Sequence, residues 1–139
     1  TDQAGGETFA MLPLDPDVRY WKMSFDFLPD GDGLVYALTA GETDLGIWDF
    51  STDRLVAVST AGQQILGVLA APDNSIIAGY GQLTRLRLWQ QDGTLMTQLN
   101  RYAAAVDISH DSRFLTTGSG YVAEVWDLET IFNEHASTE

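Results

Sequence analysis

DLGIWDF, residues 44–50, alternates apolar residues as a strand does and closes on a Trp-Asp pair. Related peptides return as RLRLWQQ at 85–91 and VAEVWDL at 122–128. Their tryptophans, Trp48, Trp89 and Trp126, stand 41 and 37 residues apart, a regularity that signals a duplicated structural unit. Working back from each tryptophan, a turn-forming peptide precedes it by 15 to 18 residues: LPDGDG, APDNS and SHDSR, anchored by Asp30, Asp73 and Asp111. Pro, Asp, Gly and Asn supply the fixed φ, the side-chain bond to backbone and the tolerated positive φ that tight turns need.

Short runs rich in β-branched and aromatic residues flank each turn. The first unit reads KMSFDF, turn, LVYALTA, loop, LGIWDF, turn, RLVAVS. The second reads ILGVLA, turn, SIIAGY, loop, RLRLWQ, turn, TLMTQL, and the third AAVDIS, turn, RFLTTG, loop, AEVWDL. Runs of this length parted by Gly, Asp and Asn, without a 3.6-residue apolar stripe, predict antiparallel strands and an all-β chain. The tail after Leu128, ETIFNEHASTE, is expected to be frayed or irregular.

Four strands per unit of about 40 residues, with Trp-Asp closing the third strand and Pro-Asp-Gly after the first, resemble the WD40 repeat family over residues 8–128. The closest stretches are IWDFSTDRLVAV and FLPDGDGLVYALTAGE. Trp89 is followed by Gln90 rather than Asp, and no Gly-His pair precedes a first strand, so the repeats are degenerate. The resemblance implies β-propeller blades, three four-stranded antiparallel units. Blade 1 is expected at about 21–59, blade 2 at about 64–99 and blade 3 at about 103–128, after an N-terminal extension at 1–7 and before a tail at 129–139. Each tryptophan is expected to be a structural wedge between neighbouring sheets.

Propellers typically carry about 4–8 blades, so three leave two faces bare. The segment ETFAML is expected to place an outer strand at 8–12, while the third unit lacks one. In WD40-like rings the N-terminal strand often completes the last blade. Two copies pairing head to tail, each lending residues 8–12 to the other, would therefore close a ring; further blades in a longer chain are the alternative. The sequence opens on Thr1 rather than Met, which leaves its N-terminal context open.

Composition narrows the function. With 45% hydrophobic and 11% aromatic residues in 139, the chain is long and apolar enough to bury a core. Its net charge of −13 repels phosphate backbones and anionic lipid, so neither nucleic acid nor a membrane is an expected partner. The longest apolar run, ILGVLAA, falls far short of the roughly 20 residues needed to span a bilayer, and a soluble acidic protein is expected. The absence of cysteine excludes disulfides and thiolate metal sites but leaves the compartment open, with the cytoplasm favoured.

In an up-and-down sheet, the loop into each first strand and the loop between second and third strands share one end. Residues 17–21, 61–64 and 100–103 belong to the first class, and 41–44, 80–84 and 119–122 to the second. The dipeptide Arg-Tyr occurs twice at nearly equivalent positions, as Arg19-Tyr20, followed by Trp21, and Arg101-Tyr102. Gln64, Tyr80 and Tyr121 lie in the neighbouring loops. Arg, Tyr and Trp are enriched in binding hot spots, so these eight residues form the candidate partner-binding surface, although Trp21 also suits an inward strand position. Arg85 and Arg87, alternating with Leu86 and Leu88, suit the faces of a half-buried strand.

Chemistry has fewer supports. Asp30 and Asp32 sit in a DGDG turn without the remaining ligands of a calcium loop. The contiguous Ser109-His110-Asp111 cannot fold onto itself as a triad, the other histidine is His135, and no phosphate-binding glycine loop is present. No cofactor or metal is expected. The expected function is a non-catalytic protein-interaction scaffold. The alternative is a small-ligand-binding propeller or propeller hydrolase that uses loop carboxylates such as Glu42 and Asp44 at its channel.

Overall fold

The computed structural model describes residues 9–81 and 84–138, of which 135–138 by backbone alone. Among the described residues, eleven strands form three antiparallel sheets whose strands pair in chain order. The first sheet is β1(Lys22–Phe27), β2(Gly33–Thr39), β3(Thr43–Asp49) and β4(Arg54–Val58); the second is β5(Gly67–Ala70), β6(Ile77–Tyr80), β7(Arg87–Trp89) and β8(Leu95–Gln98). The third holds β9(Ala105–Ile108), β10(Phe114–Gly118) and β11(Ala123–Asp127), and a helix α1(Leu128–Thr138) follows it.

One turn is built three times. Asp30 Oδ1 accepts the N–H of Asp32, Asp73 Oδ1 that of Ser75 and Asp111 Oδ1 that of Arg113, at 3.0, 2.9 and 3.1 Å. The residue after each aspartate takes a left-handed conformation: Gly31 at φ 79, Asn74 at φ 66 and Ser112 at φ 61. The turns after the tryptophans repeat the same bond, with Asp49, Asp92 and Asp127 accepting from Ser51, Thr94 and Glu129. There the units diverge. After Asp49 and Asp92 the chain returns as β4 and β8, whereas Asp127 caps α1, with Glu129 in the first turn favouring the helix N-terminus. The expected irregular tail is therefore a helix: Leu128, Ile131 and Phe132, at helical spacing, pack onto the core. The third sheet accordingly has three strands rather than four.

Side-chain alternation gives each sheet two faces, and the sheets stack in one sense. On the first sheet Val35, Ala37, Leu45, Ile47 and Val58 pack against Val68, Ala70, Ile77 and Trp89 of the second. The opposite face of the second sheet, with Ala78, Leu88 and Leu69, packs with Ile108, Leu115 and Trp126 of the third. Each tryptophan thus lies on the face turned toward the start of the chain, here called the back face; the other is the forward face. Trp89 is buried between the first and second sheets and Trp126 is half-buried between the second and third. Among the described residues no sheet precedes that of Trp48. Trp48 packs with Tyr36, Leu38, Leu34, Tyr20, Phe50 and the N-terminal Ala10 and Leu12.

The expected outer strand at 8–12 is not formed: the described part, 9–12, carries no strand, and Thr8 lies outside the described residues. Ala10 and Leu12 face the Trp48 cluster, Phe9 meets the Phe50 ring edge-on at 6.1 Å, and the Phe9 and Met11 side chains are exposed. Residues 9–12 lie across a sheet face and have no strand partner among the described residues.

At the junction of the first two sheets, side chains supply bonds that a ladder ordinarily would. Ser24 Oγ accepts the N–H of Val68 at 3.1 Å and Asp26 Oδ2 that of Ala70 at 2.8 Å, so β1 satisfies two edge amides of β5.

Candidate functional site

The loop into each sheet and the loop between its second and third strands meet at one end, and the first of these junctions is pinned by a buried polar cluster. Thr39 and Thr43 share a 2.8 Å hydrogen bond, Ile65 N–H donates to Thr43 Oγ1 at 2.8 Å, and the Ile65 carbonyl accepts from Thr39 Oγ1 at 3.1 Å. Burial makes such bonds costly to break, so the segment that links the first and second sheets has a fixed position over the β2–β3 turn.

Three of the sequence-predicted residues hold that turn. Trp21 donates its backbone N–H to the Thr39 carbonyl at 2.9 Å and its indole N–H to the Ala40 carbonyl, yet its ring is 59% exposed. Gln64 Nε2 donates to the Gly41 carbonyl at 2.8 Å. The Tyr20 hydroxyl donates to Asp44 Oδ2 at 3.3 Å; partial burial first, and the Asp44 carboxylate second, hold its pKa above the ordinary phenol value. Arg19 is exposed beside them.

A second group belongs to the third sheet. The Arg101 guanidinium forks onto Glu124, Nε to Oε1 at 2.6 Å and Nη2 to Oε2 at 3.1 Å, and lies over the Trp126 ring at 5.0 Å. Hydrogen bonding to Arg101 pulls the Glu124 pKa below the usual carboxylate range. Arg101 is therefore engaged within the chain, a brace for Trp126, while the neighbouring Tyr102 projects with 52% of its surface free. Tyr102 lines a groove of about 220 Å³ with Gln63, Thr84, Arg85, Arg87 and Gln98. Tyr121, at the β10–β11 turn, is fully exposed.

Tyr80 has a different surrounding. Its ring covers Gly67 across the β5–β6 pair, where a Cβ on the glycine would lie 2.3 Å from the ring, and burial first, the Asp107 carboxylate second, raise its pKa. Tyr80 still borders a small groove of about 230 Å³ lined also by Lys22, Ser24, Gly67, Ala103 and Ala104. Lys22 follows Trp21 and Ala103 follows Tyr102, so the two Arg-Tyr segments flank this groove from opposite sides.

Sequence reasoning missed the cationic wall beside Tyr102. Arg85 is exposed and Arg87 donates to the Thr60 carbonyl at 3.2 Å, and both line the Tyr102 groove; their two-residue spacing was the available signal. In the DGDG turn Asp30 accepts a backbone N–H, and in SHD Ser109 donates its hydroxyl to Asp111 Oδ1 at 2.6 Å, so both peptides are occupied in closing turns. Among the described residues, no helix is long and apolar enough to cross a membrane. No protein-family model matches the chain, and no curated protein is significantly similar to it.

Proposed function

We propose that the chain is part of a WD40-like β-propeller and acts as a non-catalytic scaffold that binds a protein partner at the end carrying Trp21, Tyr102 and Tyr121. The carrying observation is the way these rings are presented. Trp21 and Tyr102 keep more than half of their surface in water although the backbone beneath them is fixed by buried or charge-assisted hydrogen bonds. Large rigid aromatics held on a stiff base lose little entropy on binding, the property that makes them hot spots. Arg85 and Arg87 beside Tyr102 give this end local positive character on an otherwise acidic chain, which suits a partner surface with carboxylates. The like direction of Trp48, Trp89 and Trp126, each on the back face of its sheet, supports the blade assignment.

Quantitative affinity capture with Trp21→Ala and Tyr102→Ala tests the scaffold role. Loss of about tenfold or more in partner affinity from either substitution is expected for a hot spot. Unchanged capture by the double variant, together with a small-molecule thermal-shift response that disappears in it, would replace the scaffold with a ligand sensor.

A further inference from the structure

The junction of the first and second sheets contains a pair of side-chain acceptors, one of which the third sheet repeats without a recipient. In β1 the Leu28 N–H bonds to Gly33, so by antiparallel alternation the even-numbered residues bond to β2 and the N–H groups of Phe25 and Phe27 point to the open edge. The same alternation in β5 leaves Val68 and Ala70 at the edge, and these are the amides that Ser24 and Asp26 receive.

Counting back from the turn aspartates Asp30, Asp73 and Asp111, the residue four places earlier is Asp26, Leu69 and Asp107, and three places earlier Phe27, Ala70 and Ile108. At the second junction Leu69 offers no acceptor, and Ile108 N–H turns instead to Asp107 Oδ1 of its own strand at 2.9 Å. Asp107 Oδ2 has no hydrogen-bond partner among the described residues. Asp107 is exposed, on the strand face opposite Val106 and Ile108, which pack onto the second sheet. Around it the forward face of the third sheet is mixed, with Thr116 directly across from Asp107 and Val125 71% exposed at the position where Ile47 and Leu88 are 6% and 0% exposed. The complementary back face of the first sheet exposes Met23, Phe25 and Phe27 along β1 and Leu55 along β4.

We infer that the forward face of the third sheet docks the back face of the first sheet of a second copy of this chain, displacing the N-terminal segment that lies over Trp48 there, with Asp107 accepting the Phe27 N–H of that copy as Asp26 accepts that of Ala70. The occupant follows from continuity with an interface the chain already makes: the edge donor recurs at Phe27 and one of the two acceptors recurs at Asp107, Ala105 standing in the place of Ser24, and a second copy carries the face that fits. This rests on the propeller reading, and two such junctions would close a ring of two chains. Heterologous faces of this kind close only when the rotation permits, and otherwise give an open chain of copies.

Sedimentation equilibrium of the full chain tests it. A species of twice the chain mass is expected, and a folded monomer at all concentrations overturns the inference. Val125→Asp and Phe25→Asp, both at exposed positions, are each expected to give monomers with unchanged tryptophan emission, and Asp107→Ala to weaken pairing about tenfold or more. An equimolar mixture of the Val125→Asp and Phe25→Asp variants should associate, because one undamaged junction remains between them. Pairing abolished by only one of these two substitutions would mean like faces meet, and overturns the head-to-tail arrangement. If the chain is monomeric while partner capture still depends on Tyr102, the pairing fails alone; if it pairs while capture ignores Tyr102, the scaffold role fails alone.

Discussion

The forward faces of the second and third sheets carry equivalent residues in opposite surroundings. On the second sheet Ile76, Leu86 and Leu88 are completely buried beneath the third. On the third, the residues at the same offsets from turn aspartate and tryptophan are Phe114, Ala123 and Val125, and all three are exposed. Among the described residues no further sheet lies against this face, so these positions stand in water. The third sheet is the last of the described stack.

The comparison can be broken most forcefully in the covered layers. Trp89→Ala should lower unfolding free energy by about 3–5 kcal/mol and Leu88→Ala by about 2–5 kcal/mol in urea titration, as expected for buried large-to-small changes. Val125→Ala, at the exposed equivalent of Leu88, should change the unfolding of the single chain by less than about 1 kcal/mol. Equal losses at Leu88 and Val125 would mean the two faces are not in different states.

A finer contrast lies in the glycines. Gly67 pairs with Tyr80, and an added Cβ would lie 2.3 Å from its ring. The third sheet has Ala105 and Gly118 at those positions, and a Cβ on Gly118 meets nothing nearer than 4.0 Å. Gly67→Ala should therefore cost about 1–3 kcal/mol through overpacking, while Gly118→Ala is tolerated. Thermal melts of the two variants separate these outcomes.

Acid should act on the turns that all three units share. The pKa values of Asp49, Asp92 and Asp111 are lowered, chiefly by the Ser51 hydroxyl, the Thr94 N–H and the Ser109 hydroxyl respectively. Asp73 is lowered as well: partial burial opposes the shift, and hydrogen bonds from Ser75 and Ser112 outweigh it. A carboxylate with a depressed folded pKa stabilises the fold above its unfolded value, near 4, and loses that contribution as pH falls through the folded value. The melting temperature should fall as pH drops below about 4, with little change between about pH 6 and 8. A small effect of opposite sign is expected at Ala61, exposed and held at φ 53 beside Gly62, where Ala61→Gly should stabilise by about 1 kcal/mol.

What the sequence displayed was local chemistry. Asp30, Asp73 and Asp111 set their turns through bonds two residues away, and the runs between them alternate visibly, so strands and turns were legible. The C-terminal helix was not, although Leu128, Ile131 and Phe132 have helical spacing: the polar residues that follow concealed the pattern, and Asp127 resembles Asp49, which opens a turn into a strand. Of the candidate site, Trp21 and Tyr102 stand exposed. The burial of Tyr80 depends on its cross-strand partner Gly67, and the engagement of Arg101 depends on Glu124, 23 residues away; neither is visible in one strand's pattern. Which face each tryptophan takes is likewise a property of stacked sheets.

Amide hydrogen exchange at Ala70 tests the junction of the first two sheets most directly, because this edge N–H bonds to a side chain of another sheet and not to a strand neighbour. Protection comparable to the interior of β5, lost selectively in Asp26→Ala while the β5–β6 ladder stays protected, is the expected result. Rapid exchange of Ala70 in the unaltered chain, or no response to Asp26→Ala, would contradict it.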